Sequence, residues 1–154
     1  MKPFEKNIKV LTGPKNSGKS YAAKIMKLAF KKPFHLLPDS SDRDFFKMRF
    51  LLDGLDNSHD VILIDDLKLS DLERVLQIFT QPYLRVEGKF KTPVILDTPR
   101  IIITLNDASE SDLKVLAAPY IERRIDVLKC YIFDNGLVEV EKVELETPEL
   151  AQQV

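Results

Sequence analysis

The feature that most restricts the fold is the octet Gly13-Pro14-Lys15-Asn16-Ser17-Gly18-Lys19-Ser20, set between two apolar runs of different period. Before it, Ile8, Val10 and Leu11 form a short strand-like run. After it, Ala22, Ile25, Met26, Ala29 and Phe30 recur at helical spacing, with Lys24, Lys27, Lys31 and Lys32 on the other face and at the end. The octet fits G-x-x-x-x-G-K-[ST] at every position, in the strand–loop–helix setting the motif requires. Its two glycines allow the backbone to turn N–H groups inward around a phosphate, and the following helix directs its positive end to the same place. Lys19 supplies charge for the β- and γ-phosphates, and the Ser20 hydroxyl is suited to ligate Mg²⁺. The plainer reading, a chance Gly/Lys-rich turn, does not explain the flanking periods.

A chain of 154 residues is one domain's worth. With 44% apolar and 31% charged residues it has the material for a packed core. No apolar run approaches the ~18 residues of a membrane span. The N-terminal MKPFEKNIKV has no signal-peptide core, so an intracellular protein (cytoplasm or host nucleus), not a secreted one, is expected. A single cysteine, Cys130, excludes an internal disulfide, and His35 and His59 alone do not suggest a metal cluster. Residues 1–50 carry 12 Lys/Arg against 4 Asp/Glu, and residues 51–154 carry 11 against 20. That asymmetry excludes a uniformly basic nucleic-acid coat and leaves room for a local basic surface.

Strand-like and helix-like stretches alternate along the chain, the pattern of an α/β domain with a mostly parallel sheet. A second strand is expected at Phe34–Leu37, ended by Pro38. Helix caps are expected at Asp39–Asp42, before a helix carrying Phe45, Phe46, Phe50 and Leu51. Val61–Ile64 and Ile101–Leu105 read as strands buried on both faces. Ser70-Asp71-Leu72-Glu73 reads as a capping box opening a helix with Leu72, Val75, Leu76 and Phe79 on its apolar face. Tyr83–Glu87 and Phe90–Leu96, around Gly88-Lys89, read as a β-hairpin. Ser111 caps a short helix, and Val127–Phe133 and Leu137–Leu145 read as a final hairpin. Residues 1–147 are expected to form one domain, with 148–154 as a flexible tail.

Four further features carry candidate chemistry. Asp65-Asp66 ends an apolar strand, where ligands of parallel sheets sit. Asp65 is suited to hold the Mg²⁺ shell and Asp66 to orient or deprotonate water; the plainer reading is a pair that caps the next loop. Asn106, ending the next buried run, offers an amide to a γ-phosphate or to water, or is simply a turn residue. Arg123-Arg124 offers an arginine to a neighbouring subunit's γ-phosphate, or a surface ion pair with Glu122 or Asp126. Lys89 and Lys91 flank Phe90, with Arg85 nearby; lysines meet phosphates and an exposed aromatic meets a base or sugar, though lysines also guard edge strands.

In this order, over residues 8–133, these parts resemble the superfamily 3 helicases, a viral and plasmid branch of the AAA+ ATPases. They are most similar to the helicase part of replication initiator (Rep) proteins. The stretches that select the family are Val86-Glu87-Gly88-Lys89 through Ile101–Asn106, and Ile121–Ile125. The resemblance implies a P-loop NTPase, AAA+-like, as a three-layer sandwich with a five-stranded, mostly parallel sheet and an inserted β-hairpin. It implies that the Asn106 strand lies between the phosphate-loop strand and the Asp65 strand. It implies Asn106 as sensor, Lys89 and Lys91 on a pore hairpin tracking single-stranded nucleic acid, and Arg123 or Arg124 as a finger acting in trans. ATP and Mg²⁺ are the implied cofactors, and a homo-oligomer, a hexameric ring when assembled, is the implied state, with no membrane partner. The chain departs from that pattern: with its first strand near residue 8, neither the family's nuclease domain nor its helical collar is expected within these residues. Its end is acidic and strand-like where the family has a helical lid. The expected function is an ATP-hydrolysing nucleic-acid motor acting in replication. A kinase acting on a small acceptor, or a nucleotide-binding scaffold without motor activity, are the alternatives.

Overall fold

The aliphatic runs become strands that pair in parallel and bury both of their faces. The computed structural model describes residues 7–12, 28–36, 50–106, 125–132 and 138–142. Among these, the elements in chain order are β1 (Ile8–Thr12), β2 (Pro33–Leu36), β3 (Val61–Lys68), α1 (Leu69–Phe79), β4 (Tyr83–Val86), β5 (Val94–Asp97), β6 (Arg100–Asn106), β7 (Ile125–Ile132) and β8 (Val138–Lys142). One sheet has the order β2-β3-β6-β1-β7-β8. Its first five strands run parallel, and β8 turns back antiparallel on β7. The five parallel strands are as expected, and among the described residues β8, the return strand of the expected final hairpin, adds a sixth, antiparallel strand at the edge. As expected, β6 lies between β1 and β3.

Alternation along the strands sorts the core into two faces. Ile8, Val10, Ile62, Ile64, Ile101, Ile103, Ile125 and Val127 belong to one buried cluster, together with Leu72, Val75, Leu76 and Phe79 of α1. Leu11, Val61, Leu63 and Ile102 form a second cluster against which Phe30 and Leu128 pack. Each fully buried aliphatic side chain contributes about 1.5–3 kcal/mol, so these central strands dominate the hydrophobic term. The third layer expected of the sandwich lies outside the described residues, as do most of the helices expected after Ser20 and Asp42, the helix expected after Ser111 and the tail 148–154; Ala29, Phe50 and Leu51, expected in those helices, lie in turns.

The helix presents the expected apolar stripe but not the expected cap. Its N-cap is Lys68, with no side-chain cap hydrogen bond, and Ser70 lies inside the first turn. Strand β3 stays paired through Lys68, which is in register with Asn106, so tertiary pairing sets the helix start. At its other end Thr80 returns its N–H to the Leu76 carbonyl at 3.0 Å. The ribbon of β4 and β5 follows, a separate antiparallel pair in which Tyr83 faces Asp97 and Val86 faces Val94. Residues 90–93, expected in a strand, instead belong to the connection. Lys91 N–H closes a turn on the Gly88 carbonyl at 3.1 Å, and Pro93 has no N–H to pair. Thr98, buried at the ribbon's base, donates its N–H to the Pro82 carbonyl at 3.0 Å and its hydroxyl to the Gln81 carbonyl. No helix among the described residues is long and apolar enough to cross a membrane.

At the amino end of the sheet, Asp60 fastens the start of β2 to the start of β3. Its carboxylate accepts the backbone N–H groups of Lys31 at 2.7 Å and Lys32 at 3.0 Å. Chiefly through the Lys31 bond, its pKa is held below the ordinary 3.8. A carboxyl with a depressed folded pKa stabilises the fold above its unfolded value, and the contribution fades as pH falls through the lower folded value. Asp60→Asn should therefore lower the thermal midpoint at neutral pH, and the gap from the parent should close below pH 3.8. Unfolding curves of both proteins against pH check this; a gap that persists into acid would remove the charge as its source.

Candidate functional site

Because β1, β3 and β6 run parallel, their carboxyl ends meet at one end of the sheet. The register places Leu11 beside Thr104 and Ile64 beside Ile103. Thr12, the Asp65-Asp66 pair and the last residues of β6 are thereby brought to one level. The chain also changes direction across the sheet here. Strands β2, β3 and β6 lie on one side of β1, and β7 lies on the other. Such a switch point is where open parallel sheets bind ligands.

The carboxylates are shaped by a bulge. Between Ile64, paired with Ile103, and Leu67, paired with Leu105, strand β3 has one residue more than β6. Asp65 and Asp66 thus oppose Thr104 alone. Asp66 takes φ 60°, a left-handed conformation that aspartate tolerates better than most residues. Asp65 is half-buried and Asp66 exposed. Thr104, only 2% exposed, accepts the backbone N–H of Asp66 at 2.7 Å and donates its hydroxyl to Asp65 Oδ1. Sequence reasoning passed over Thr104, although a hydroxyl inside Ile101-Ile102-Ile103-Thr104-Leu105 is a polar interruption of a buried run.

Of the expected site residues, the structure places Asp65 and Asp66 at the same end of the sheet as Thr12, with β6 between, and Asn106 at the end of β6. Gly13, Pro14, Lys15, Asn16, Ser17, Gly18, Lys19 and Ser20 lie outside the described residues. So do Arg123, Arg124 and the side chain of Asn106. Asp126, the alternative partner of the arginine pair, has an ion pair with Lys9 on the neighbouring strand at 3.3 Å.

No group of three or more His, Cys, Asp or Glu side chains among the described residues forms a metal cage. Asp65 and Asp66 are the neighbouring carboxylates that could hold a cation such as Mg²⁺, which takes one or two carboxylates together with other oxygens and water. A cleft of about 520 Å³, lined by Phe30, His59, Asp60, Asp97 and Arg100 among others, lies elsewhere. Asp60 precedes β3 and Arg100 opens β6, so this cleft is at the amino end of the strands.

The ribbon separates its lysines. Lys91 Nζ is 3.1 Å from Asp53 Oδ1, and Arg85 is paired with Glu87 at 3.6 Å. Gly88 lies so close to the same aspartate that a Cβ on it would come within 2.5 Å of Asp53 Oδ1. Phe90 is 97% exposed at φ 62°, with Lys89 Nζ 5.4 Å from its ring centroid. Lys89 and Phe90 are thus displayed at the tip, while Lys91 tethers it. Asn accepts left-handed backbone more readily than Phe, and Phe90 buries almost nothing. Phe90→Asn should therefore leave stability unchanged or raise it by up to about 1 kcal/mol, read from denaturant unfolding. A loss of more than that would mean the ring packs against the fold.

No family model matches this chain, and no curated protein matches it. Among solved structures, it is similar to the C-terminal region of NrS-1 in its A-form apo structure, with a TM-score of 0.52 and 17% sequence identity. The match covers 95% of this chain but 32% of that one, so the chain spans about a third of its structural neighbour. The likeness is one of fold, here an α/β sheet with five parallel strands.

Proposed function

We propose that this chain is a Mg²⁺-dependent NTPase of the superfamily 3 helicase type, which uses ATP hydrolysis to move or remodel single-stranded nucleic acid. The observation that carries the reading is the carboxylate pair at the end of β3, across β6 from the strand that leads into Gly13–Ser20. Asp65 and Thr12 share one end of the sheet because β3, β6 and β1 run parallel, as the alternating pattern of the sequence led us to expect. In this reading the backbone of the glycine loop binds phosphate, Lys19 balances its charge, and Ser20 and Asp65 hold Mg²⁺. The metal supplies charge neutralisation of the phosphates when bound. Asp66 orients the attacking water or takes its proton, and Asn106 senses the γ-phosphate. Arg123 or Arg124 completes the site of a neighbouring subunit, and assembled subunits form a ring.

The ribbon supports the nucleic-acid part. Its displayed groups are a cation and an aromatic ring, which suit a phosphate and an unstacked base. Lys91, being tied to Asp53, shapes the tip, and Lys89 is the contacting lysine.

Lys19→Ala should abolish nucleotide binding. Lys89→Ala should spare it and weaken binding to a single-stranded oligonucleotide, with a smaller salt dependence than the parent. Equal oligonucleotide affinity after Lys89→Ala, measured by anisotropy, would remove the ribbon from the mechanism. Specific ATPase activity should climb with protein concentration as shared sites assemble, and sizing with a non-hydrolysable ATP analogue and single-stranded DNA should show the larger species. A rate per subunit that is flat with concentration would show that each site is complete within one chain.

A further inference from the structure

The hydroxyl of Thr104 makes two bonds whose directions are fixed. The Asp66 backbone N–H can only donate, so at 2.7 Å the hydroxyl oxygen is its acceptor. The hydroxyl proton is then committed to Asp65 Oδ1. Threonine is stiff at χ1 in a strand, and Thr104 is held in register with Leu11 on β1, so the oxygen has little freedom. With the side chain 2% exposed, water does not compete for either bond. One hydroxyl on β6 therefore grips both acidic residues of β3: one through its carboxylate, the other through its backbone.

We propose that Thr104 is a positioning residue for the metal site, orienting the Asp65 carboxylate and holding Asp66 in its left-handed conformation. This rests on the reading of Asp65 as a Mg²⁺-holding group. The bulge alone does not determine where Asp65 Oδ1 lies, because an aspartate χ2 rotor is broad. A bond from a buried, rigid donor does determine it. Groups that orient metal-holding carboxylates in this way typically affect metal affinity by about 10–100-fold. Valine at this position would keep the shape and strand preference of threonine, delete the hydroxyl, and leave the Asp66 N–H without its acceptor.

The test uses Mn²⁺ as the probe, with free Mn²⁺ read by electron paramagnetic resonance in the presence of a non-hydrolysable ATP analogue. Binding of the analogue without metal is measured in parallel by calorimetry. Thr104→Val should weaken Mn²⁺ retention about 10-fold or more while metal-free analogue affinity stays within about 3-fold. Thr104→Ser, which restores the hydroxyl, should recover most of the loss. Thr104→Ala serves in place of the valine variant if that one does not fold. Wild-type Mn²⁺ affinity in Thr104→Val, an equal loss of metal-bound and metal-free analogue, or no recovery in Thr104→Ser would each overturn the positioning role while leaving the nucleotide site standing. If the unaltered protein holds no Mn²⁺ with the analogue, the functional reading itself falls, and the role of Thr104 falls with it.

Discussion

Strand β6 pairs in parallel with β1 along one edge and with β3 along the other, and its side chains from Ile101 to Leu105 are buried on both faces. A strand in that position must be nearly all apolar and must have every backbone group paired, because water reaches neither side. Once it is seated, the ends of three parallel strands are fixed relative to one another within a backbone hydrogen bond's tolerance. The distance between the glycine loop's strand and the carboxylates of β3 is then set by two strand spacings of about 4.8 Å each. Side chains at the carboxyl end of the sheet inherit that rigidity.

The bulge converts rigidity into a site. With strict alternation, residues 62, 64 and 66 of β3 would face α1, and Leu67 would face the opposite side. The extra residue returns Leu67 to the cluster that holds Ile62 and Ile64, where it is fully buried beside Leu105. Asp65 remains on the face of Leu63, where Thr104 also points, and Asp66 absorbs the change in the left-handed region. Burial of Leu67 offsets the backbone strain at Asp66, which for a single residue is of order 1–2 kcal/mol. Two carboxylates thus stand at the end of a buried strand without either being driven into the core.

The parts of the fold that follow from periodicity were legible in the sequence. Val61–Ile64 and Ile101–Leu105 announce buried strands, and the spacing of Leu72, Val75, Leu76 and Phe79 announces the helix face. Other features depend on contacts that no local pattern records. Lys68 opens the helix because β3 remains paired with Asn106, which overrides the apparent cap at Ser70. Asp65-Asp66 reads as a strand end in the sequence, yet the strand continues past it, since the bulge is defined by the partner strand. The tether between Lys91 and Asp53 joins residues far apart in sequence, so the two lysines of the tip look equivalent until the chain is folded. Thr104 was legible only as an oddity in composition; its role depends on β3 lying next to β6.

The ribbon joins the sheet at its amino end, opposite the carboxylates. Helix α1 begins directly after β3, whose last residues follow Asp66, and the ribbon begins just beyond the helix's end at Thr80. The return path from β5 to β6 is equally short, through Thr98 and Pro99. One end of the ribbon is therefore attached to α1 and the other to the start of β6, and Thr98 ties those ends to each other. Short, hydrogen-bonded connections leave few soft dihedrals, and Pro99 removes one more. Buried packing of Val75, Leu76 and Phe79 holds the end of α1 from which the ribbon leaves, because close-packed interiors deform little. The ribbon itself, with five of its eight strand residues exposed, is the softer element, so the Phe90 tip is carried on a firm base at the end of the sheet opposite the carboxylates.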